Sequence, residues 1–143
     1  MKNVTELLKS KPTRMVAVKP EDTVLDAIKV MARENIGAAI VMSGDQLVGI
    51  LSERDYARKV ILKGRSSETT RVEEIMTANV VCVSPRAKSR DCMALMSEKN
   101  IRHLPVVEEG RVIGMVSVRD IVTDIIADQD FTISQLESYI SGQ

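Results

Sequence analysis

Two apolar periods alternate along the first half of the chain. Met15 to Val18 is a short apolar run that reads as a strand, after which Val24, Leu25, Ile28, Met31 and Ala32 recur at three- and four-residue spacing. That spacing lays one stripe along a helix, and Pro20-Glu21-Asp22-Thr23 puts a proline and two carboxylates near its N-terminus. Ala38 to Met42 and Leu47 to Leu51 are compact apolar runs of strand length. Ser43-Gly44-Asp45 between them is a turn signal, so the two runs predict a hairpin. Glu53 to Leu62 then returns to the helical period, with Tyr56, Ala57, Val60 and Ile61 on one face. The predicted unit is β-α-β-β-α.

The same unit occurs twice. Adding 65 to each residue number superposes the first half on the second without a gap: Val16, Val18 and Pro20 fall on Val81, Val83 and Pro85. Asn35-Ile36 falls on Asn100-Ile101, Val41 on Val106, Gly49 on Gly114, Ser52 on Ser117 and Arg54-Asp55 on Arg119-Asp120. Two copies, each small for an independent core, predict that each buries its apolar face against the other. The division this implies is an N-terminal helical flank over 1–12, a first repeat over 13–62, a connector over 63–76, a second repeat over 77–127 and a C-terminal helix over 128–143. Val4 to Lys9 and Phe131 to Ile140 are short amphipathic segments, expected to dock on the core or on a second subunit.

Composition narrows the function classes. The 143 residues carry 20 Lys+Arg against 20 Asp+Glu, so no general attraction to nucleic acid or anionic lipid is expected and any anion site must be local. Aromatic residues make up 2% with no Trp, which leaves no platform for stacking bases and an aliphatic core that the eight Met help to fill. No run approaches the ~18 apolar residues of a membrane span, and no secretory signal follows the first residues, so the expected setting is the cytoplasm. Cys82 and Cys92 replace Ala17 and Ala27 of the first repeat and read as small core residues rather than a disulfide or zinc site. With one histidine and no phosphate loop, nucleophile elbow or zinc-protease helix, no catalytic constellation and no metal site is predicted.

The chemistry that stands out is at the junction of the third strand and the second helix. A helix N-terminus presents unpaired N–H groups, which suit a phosphate; Ser52 can add a hydroxyl, and Asp55 is an acceptor for ribose hydroxyls. The same Ser-x-x-Asp spacing is also that of a capping box, in which each residue satisfies the other's backbone. Both readings stay open for Ser52/Asp55 and for Ser117/Asp120.

Gly49-Ile50-Leu51-Ser52-Glu53-Arg54-Asp55 and Gly114-Met115-Val116-Ser117-Val118-Arg119-Asp120, with Asn100-Ile101-Arg102-His103-Leu104-Pro105-Val106, resemble the CBS domain, named after cystathionine β-synthase. The resemblance covers roughly residues 13 to 127 and is to a stand-alone pair of such repeats. It implies an α/β (α+β) fold of two pseudo-symmetric β-α-β-β-α repeats packed sheet to sheet as one module. It implies a non-catalytic energy or redox sensor that binds an adenine nucleotide, AMP first and otherwise ADP, ATP or NAD(H), in a cleft between the repeats. It also implies a homodimer forming a disc of four repeats, acting on a regulated protein the sequence does not identify, with no nucleic-acid or membrane partner.

On that fold the two clefts differ. Ser52, Arg54 and Asp55 would share a cleft with Arg102 and His103, a guanidinium fork and an imidazole suited to phosphate oxygens. Thr77, Asn79, Val80 and Val81 would hold adenine and ribose, and the connector residues Lys63, Arg65, Ser66 and Ser67 could fold over a second phosphate. Ser117, Arg119 and Asp120 would face Gly37, Ala38 and Ala39, which bring no charge, so this cleft is expected to be the weaker site. The competing class is a ligand-free interaction module whose polar motif residues serve only as helix caps.

Overall fold

The computed structural model describes residues 2–10 and 15–141; the parts of the expected flank and tail that fall on Met1, 11–14 and 142–143 lie outside the described residues. The chain forms two compact units. Among the described residues, one holds 15–81 with 109–113, the other 2–10, 82–108 and 114–141.

The first unit follows the predicted order. Strand β1 (Ala17–Val18) pairs in parallel with β2 (Ala38–Ser43), and β2 pairs antiparallel with β3 (Gln46–Ser52). Gly44 takes φ 61° in the hairpin turn, a conformation open to a residue without a side chain. The helix α2 (Val24–Arg33) starts four residues after the proline rather than at it. Thr23 is its N-cap, accepting from the Asp26 N–H at 3.2 Å, while Pro20 and Asp22 form the preceding turn, where the Asp22 carboxylate accepts from the Lys19 N–H. Val24, Ala27 and Met31 of α2 are buried with Val41 and Leu51 of the hairpin, which is why the helical stripe and the strand alternation match.

The second helix of this repeat departs from expectation. Only Glu53–Tyr56 (α3) is α-helical; over Ala57–Ile61 the coil widens, with Leu62 N–H bonding the Ala57 carbonyl and Arg65 N–H the Val60 carbonyl, both five residues back. The residues read as a connector are also built into the core. The short helix α4 (Val72–Ile75) buries Val72 and Ile75, and its N–H groups at Val72 and Glu73 bond the carbonyls of Asp22 and Pro20 at 2.8 and 3.0 Å.

The second unit repeats the order of these elements at the offset of 65. Helix α5 (Ser89–Lys99) precedes the two-stranded sheet of β4 (His103–Glu108) and β5 (Arg111–Ser117). Val83 bridges Val106 in parallel, the counterpart of Val18 and Val41, although here the first strand shrinks to that single bridge. Asn35 and Asn100 both end their helices in the left-handed region, at φ 55° and 54°. The place of α4 is taken by α1 (Val4–Ser10): the N–H groups of Val4 and Thr5 bond the carbonyls of Ala87 and Pro85, 65 positions beyond Asp22 and Pro20. The N-terminal flank thus docks on the second repeat. Asp124, buried, accepts from the Ser89 hydroxyl at 2.7 Å and the Lys2 N–H at 3.2 Å, tying together the starts of α1 and α5 and the final helix α6 (Val118–Ser141). That last helix runs unbroken through the segment expected to be a separate short helix, and its residues from Gln129 to Ser141 are exposed. No described helix is long and apolar enough to cross a membrane.

The two glycines of the repeated motif lie under close neighbours. A Cβ on Gly49 would stand 2.5 Å from Met76 Sδ and 3.1 Å from the Thr77 carbonyl oxygen; one on Gly114 would stand 2.9 Å from a methyl of Leu8. Gly49→Ala is expected to cost about 1–3 kcal/mol, because backbone as well as side chain must move, and Gly114→Ala less, because only the Leu8 side chain must turn. Thermal unfolding of the two variants beside the wild type checks the order; equal melting temperatures for all three would contradict it.

Candidate functional site

The sequence places a serine at the end of the third strand and an aspartate one turn into the following helix. The structure closes these two into a reciprocal cap in both repeats. The Asp55 N–H donates to Ser52 Oγ at 3.1 Å, and Asp55 Oδ2 accepts from the Ser52 N–H and hydroxyl, each at 3.0 Å. In the second repeat Asp120 N–H donates to Ser117 Oγ at 3.2 Å and Asp120 Oδ2 accepts from Ser117 N–H at 2.8 Å. The capping reading is therefore realised at both sites.

A group outside the expected set completes the first junction. Lys59 Nζ lies 3.1 Å from Asp55 Oδ1 and donates to the Ile75 carbonyl at 2.9 Å, so both carboxylate oxygens of Asp55 have partners. Asp55 and Lys59 are four residues apart, a spacing at which opposite charges meet on a helix; that was the available signal. The position equivalent to Lys59 in the second repeat is Asp124, turned into the core toward Ser89. The lysine beside the motif aspartate of the first repeat thus has no lysine counterpart at the matching position of the second. The short α3 weakens the dipole argument on the same side, since four residues of α-helix align few peptide groups, whereas α6 behind Asp120 is 24 residues long.

The other expected residues divide by unit. In the first, Thr77 is exposed and exchanges both backbone hydrogen bonds with Ile50, at 2.9 and 3.0 Å, two residues before Ser52. Asn79 is exposed and Val80 and Val81 are half-buried. Gly37 accepts the Glu53 N–H at 3.0 Å, while Ala38 and Ala39 are buried at the start of β2. Arg54 is half-buried. Lys63 is exposed; Arg65 is engaged by Glu74, whose carboxyl is held below the usual carboxylate range by the Arg71 N–H and then by the Arg65 guanidinium. Ser66 and Ser67 bond their own turn and α2 through their carbonyls, so this segment is folded rather than loose. In the second unit the Arg102 carbonyl accepts the Val118 N–H at 2.9 Å, repeating the Gly37 contact, with its side chain exposed; His103, half-buried, opens β4. Ser117 and Asp120 are half-buried and Arg119 exposed. Each motif therefore lies against the start of the second strand of its own repeat.

Burial raises the thiols of Cys92 and half-buried Cys82 above the ordinary cysteine value, making both poor nucleophiles at neutral pH. Among the described residues no three His, Cys, Asp or Glu side chains gather as metal ligands.

A doubled β-α-β-β-α unit with a capped serine–aspartate junction in each copy defines a tandem-repeat α+β protein. The chain belongs to the CBS domain family, whose pattern matches residues 4–62 and 72–127. It is 42% identical over 127 residues to the mitochondrial CBS domain-containing protein CBSX3 of Arabidopsis thaliana, covering 85% of this chain and 62% of that protein, so it spans less than two thirds of the plant relative. A solved structure of a protein with CBS domains from Burkholderia ambifaria MC40-6 superposes with TM-score 0.85 at 51% identity, covering 90% of this chain and 96% of that one. At 22% and 24% identity, where the fold alone is shared, are a CBS domain protein from Pyrobaculum aerophilum complexed with AMP (TM-score 0.74, 83% of this chain and 89% of that one) and a CBS domain pair in complex with 5′-methylthioadenosine and S-adenosyl-L-methionine (0.78, 90% and 98%).

The first junction makes a stability prediction without any ligand. Ser52→Ala removes the cap and should cost about 0.5–2 kcal/mol. Lys59→Ala, which breaks a half-exposed pair, should cost less than ~1 kcal/mol. Urea unfolding of both variants checks this, and a Ser52→Ala midpoint at the wild-type value would contradict it.

Proposed function

We propose that the chain is a non-catalytic regulatory module that binds an adenosine compound, with Asp55 taking the ribose hydroxyls and Arg102 and His103 the phosphate, in a cytoplasmic setting. The observation that carries this reading is the asymmetry of the two junctions: the first has Lys59 beside its aspartate, and the second has a buried carboxylate at the matching position. That adds a cation on the side where the sequence already favours phosphate. The fold itself holds AMP in one distant neighbour and two adenosyl compounds in another.

The local geometry says how a ligand would act. An ionised carboxylate offers about four acceptor positions, and Ser52 and Lys59 occupy three at Asp55. A ribose diol needs two, so binding releases the Ser52 hydroxyl or Lys59, freeing a donor for the phosphate. Because Lys59 also holds the Ile75 carbonyl at the end of α4, its release loosens α4 from the widened helix. Ligand binding thereby reaches the segment that joins the repeats, and the regulated partner would read that change. A ligand shifts such an equilibrium only by its differential affinity for the two states, typically ~1–3 kcal/mol.

AMP fits this reading best. ADP and ATP use the same contacts, and NAD(H) is less favoured because Arg65, the candidate for a second phosphate, is held by Glu74. The complete capping boxes favour one other reading, a ligand-free interaction module. Titration calorimetry with AMP, ADP, ATP, NAD⁺ and S-adenosylmethionine on nucleotide-stripped protein separates the two. We expect AMP to bind wild type and Asp120→Ala, and to bind Asp55→Ala and Arg102→Ala at least ~10-fold more weakly. No heat with any of the compounds would leave the interaction module as the function.

A further inference from the structure

The cover over Gly49 is a thioether, and the matching cover over Gly114 is a hydrocarbon. Met76 ends α4 with extended backbone, φ −62° and ψ 155°, and lays Sδ and Cγ where a Cβ on Gly49 would stand only 2.5 and 2.9 Å away. Its side chain is half-buried, packed against the cluster that holds Leu51, Val72 and Ile75 and still partly open to water. In the second unit Leu8 takes the same place over Gly114.

Three attachments converge on Met76. Its N–H closes α4 on the Val72 carbonyl at 2.9 Å, the Ile75 carbonyl before it takes Lys59 Nζ, and Thr77 after it exchanges two backbone hydrogen bonds with Ile50 of β3. Four residues of helix have little stability of their own, so α4 stays in place through what covers and anchors it.

We propose that Met76 is a reversible oxidation site, at which hydrogen peroxide converts the thioether to the sulfoxide and lifts α4 from β3 in the first repeat. A sulfur lone pair attacks one peroxide oxygen and the O–O bond breaks. That oxygen stays on sulfur, and the other leaves as water with both protons, so sulfur is oxidised by two electrons and the peroxide reduced by two. A dithiol reductant reverses the step, its two thiols becoming a disulfide while the oxygen leaves as water. The sulfoxide is polar and pyramidal where the thioether was soft and apolar, and Gly49 leaves it no space to turn inward. Leu51, Val72 and Ile75 offer its oxygen no hydrogen-bond donor from their side chains, so the oxygen turns to solvent and draws the Met76 side chain off Gly49. Leucine has no sulfur to oxidise, and the second unit keeps its cover. None of this rests on the nucleotide reading.

Graded hydrogen peroxide on the full chain, followed by mass spectrometry and amide hydrogen exchange, tests it. The tryptic peptide over 72–86 holds Met76 as its one methionine, and fragmentation separates oxygen on Met76 from oxygen on Cys82. Met76 should gain one oxygen before buried Met31 and Met96 do. The amides of Ile50 and Thr77 should then exchange roughly 10-fold or more faster, while those of Val4 and Thr5, which anchor α1, keep their rates. Methionine sulfoxide reductases with dithiothreitol should restore the slow exchange. Met76→Leu, which supplies the side chain that already covers Gly114, should exchange slowly before and after peroxide, although Met42, Met93 and Met115 are half-buried too. Met76→Gln, a polar side chain of similar length, should exchange fast without peroxide. An unoxidised Met76 in protein whose Met15, 46% exposed, is fully converted would overturn the proposal. So would unchanged exchange at Ile50 and Thr77 once Met76 is the sulfoxide, fast exchange that persists after reduction, or an equal response in Met76→Leu.

Discussion

The last strand of each repeat can be covered closely only because it carries a glycine. Met76 and the Thr77 carbonyl lie over Gly49, and Leu8 lies over Gly114, at distances that leave no room for a Cβ. What that contact fixes is the short helix that brings the covering side chain: α4 in the first unit and α1 in the second, each joined through two backbone hydrogen bonds to the turn before α2 or α5. Because α1 precedes the first repeat in sequence but completes the second, whereas α4 directly follows the first repeat and completes it, only the second repeat draws its core from separate stretches of chain. Deleting residues 2–10 would open the second unit, not the first.

On this frame the repeats are alike in backbone and unlike in charge. Both hold their motif aspartate in a cap with serine, and both give the carbonyl just before the second strand to the first N–H of the following helix. The differences include Lys59 against Asp124, Gly37-Ala38 against Arg102-His103, Glu53 against Val118, and a helix that widens after four residues against one that continues for 24. A symmetric scaffold with asymmetric charge is a simple way to make two potential sites unequal, since the strands and caps hold both alike while the side chains and the following helix differ.

Much of this was legible in the sequence. The offset of 65 survives at atomic level, in the paired bridges Val18–Val41 and Val83–Val106 and in the left-handed Asn35 and Asn100, because strand alternation and helical stripe act locally. The serine–aspartate cap was legible for the same reason. The exchange of α1 and α4 was not: Val4, Leu7 and Leu8 match Val72, Ile75 and Met76 at a different offset, and the short segments carry too few apolar positions to announce it. Nor does periodicity separate a helix that widens, as after Tyr56, from one that runs on, since five-residue hydrogen bonds shift the stripe by only one position. Lys59 was hidden by its ordinary look as an exposed helical lysine, and its role follows from where Ile75 brings a carbonyl.

The most direct test of the account is a crystal structure of the protein grown with AMP. The account predicts the ribose hydroxyls on the Asp55 carboxylate, with the Ser52 hydroxyl or Lys59 turned away from it and the phosphate against Arg102 and His103. AMP seated on Asp120 while the Asp55–Ser52–Lys59 cluster keeps its present hydrogen bonds would contradict it.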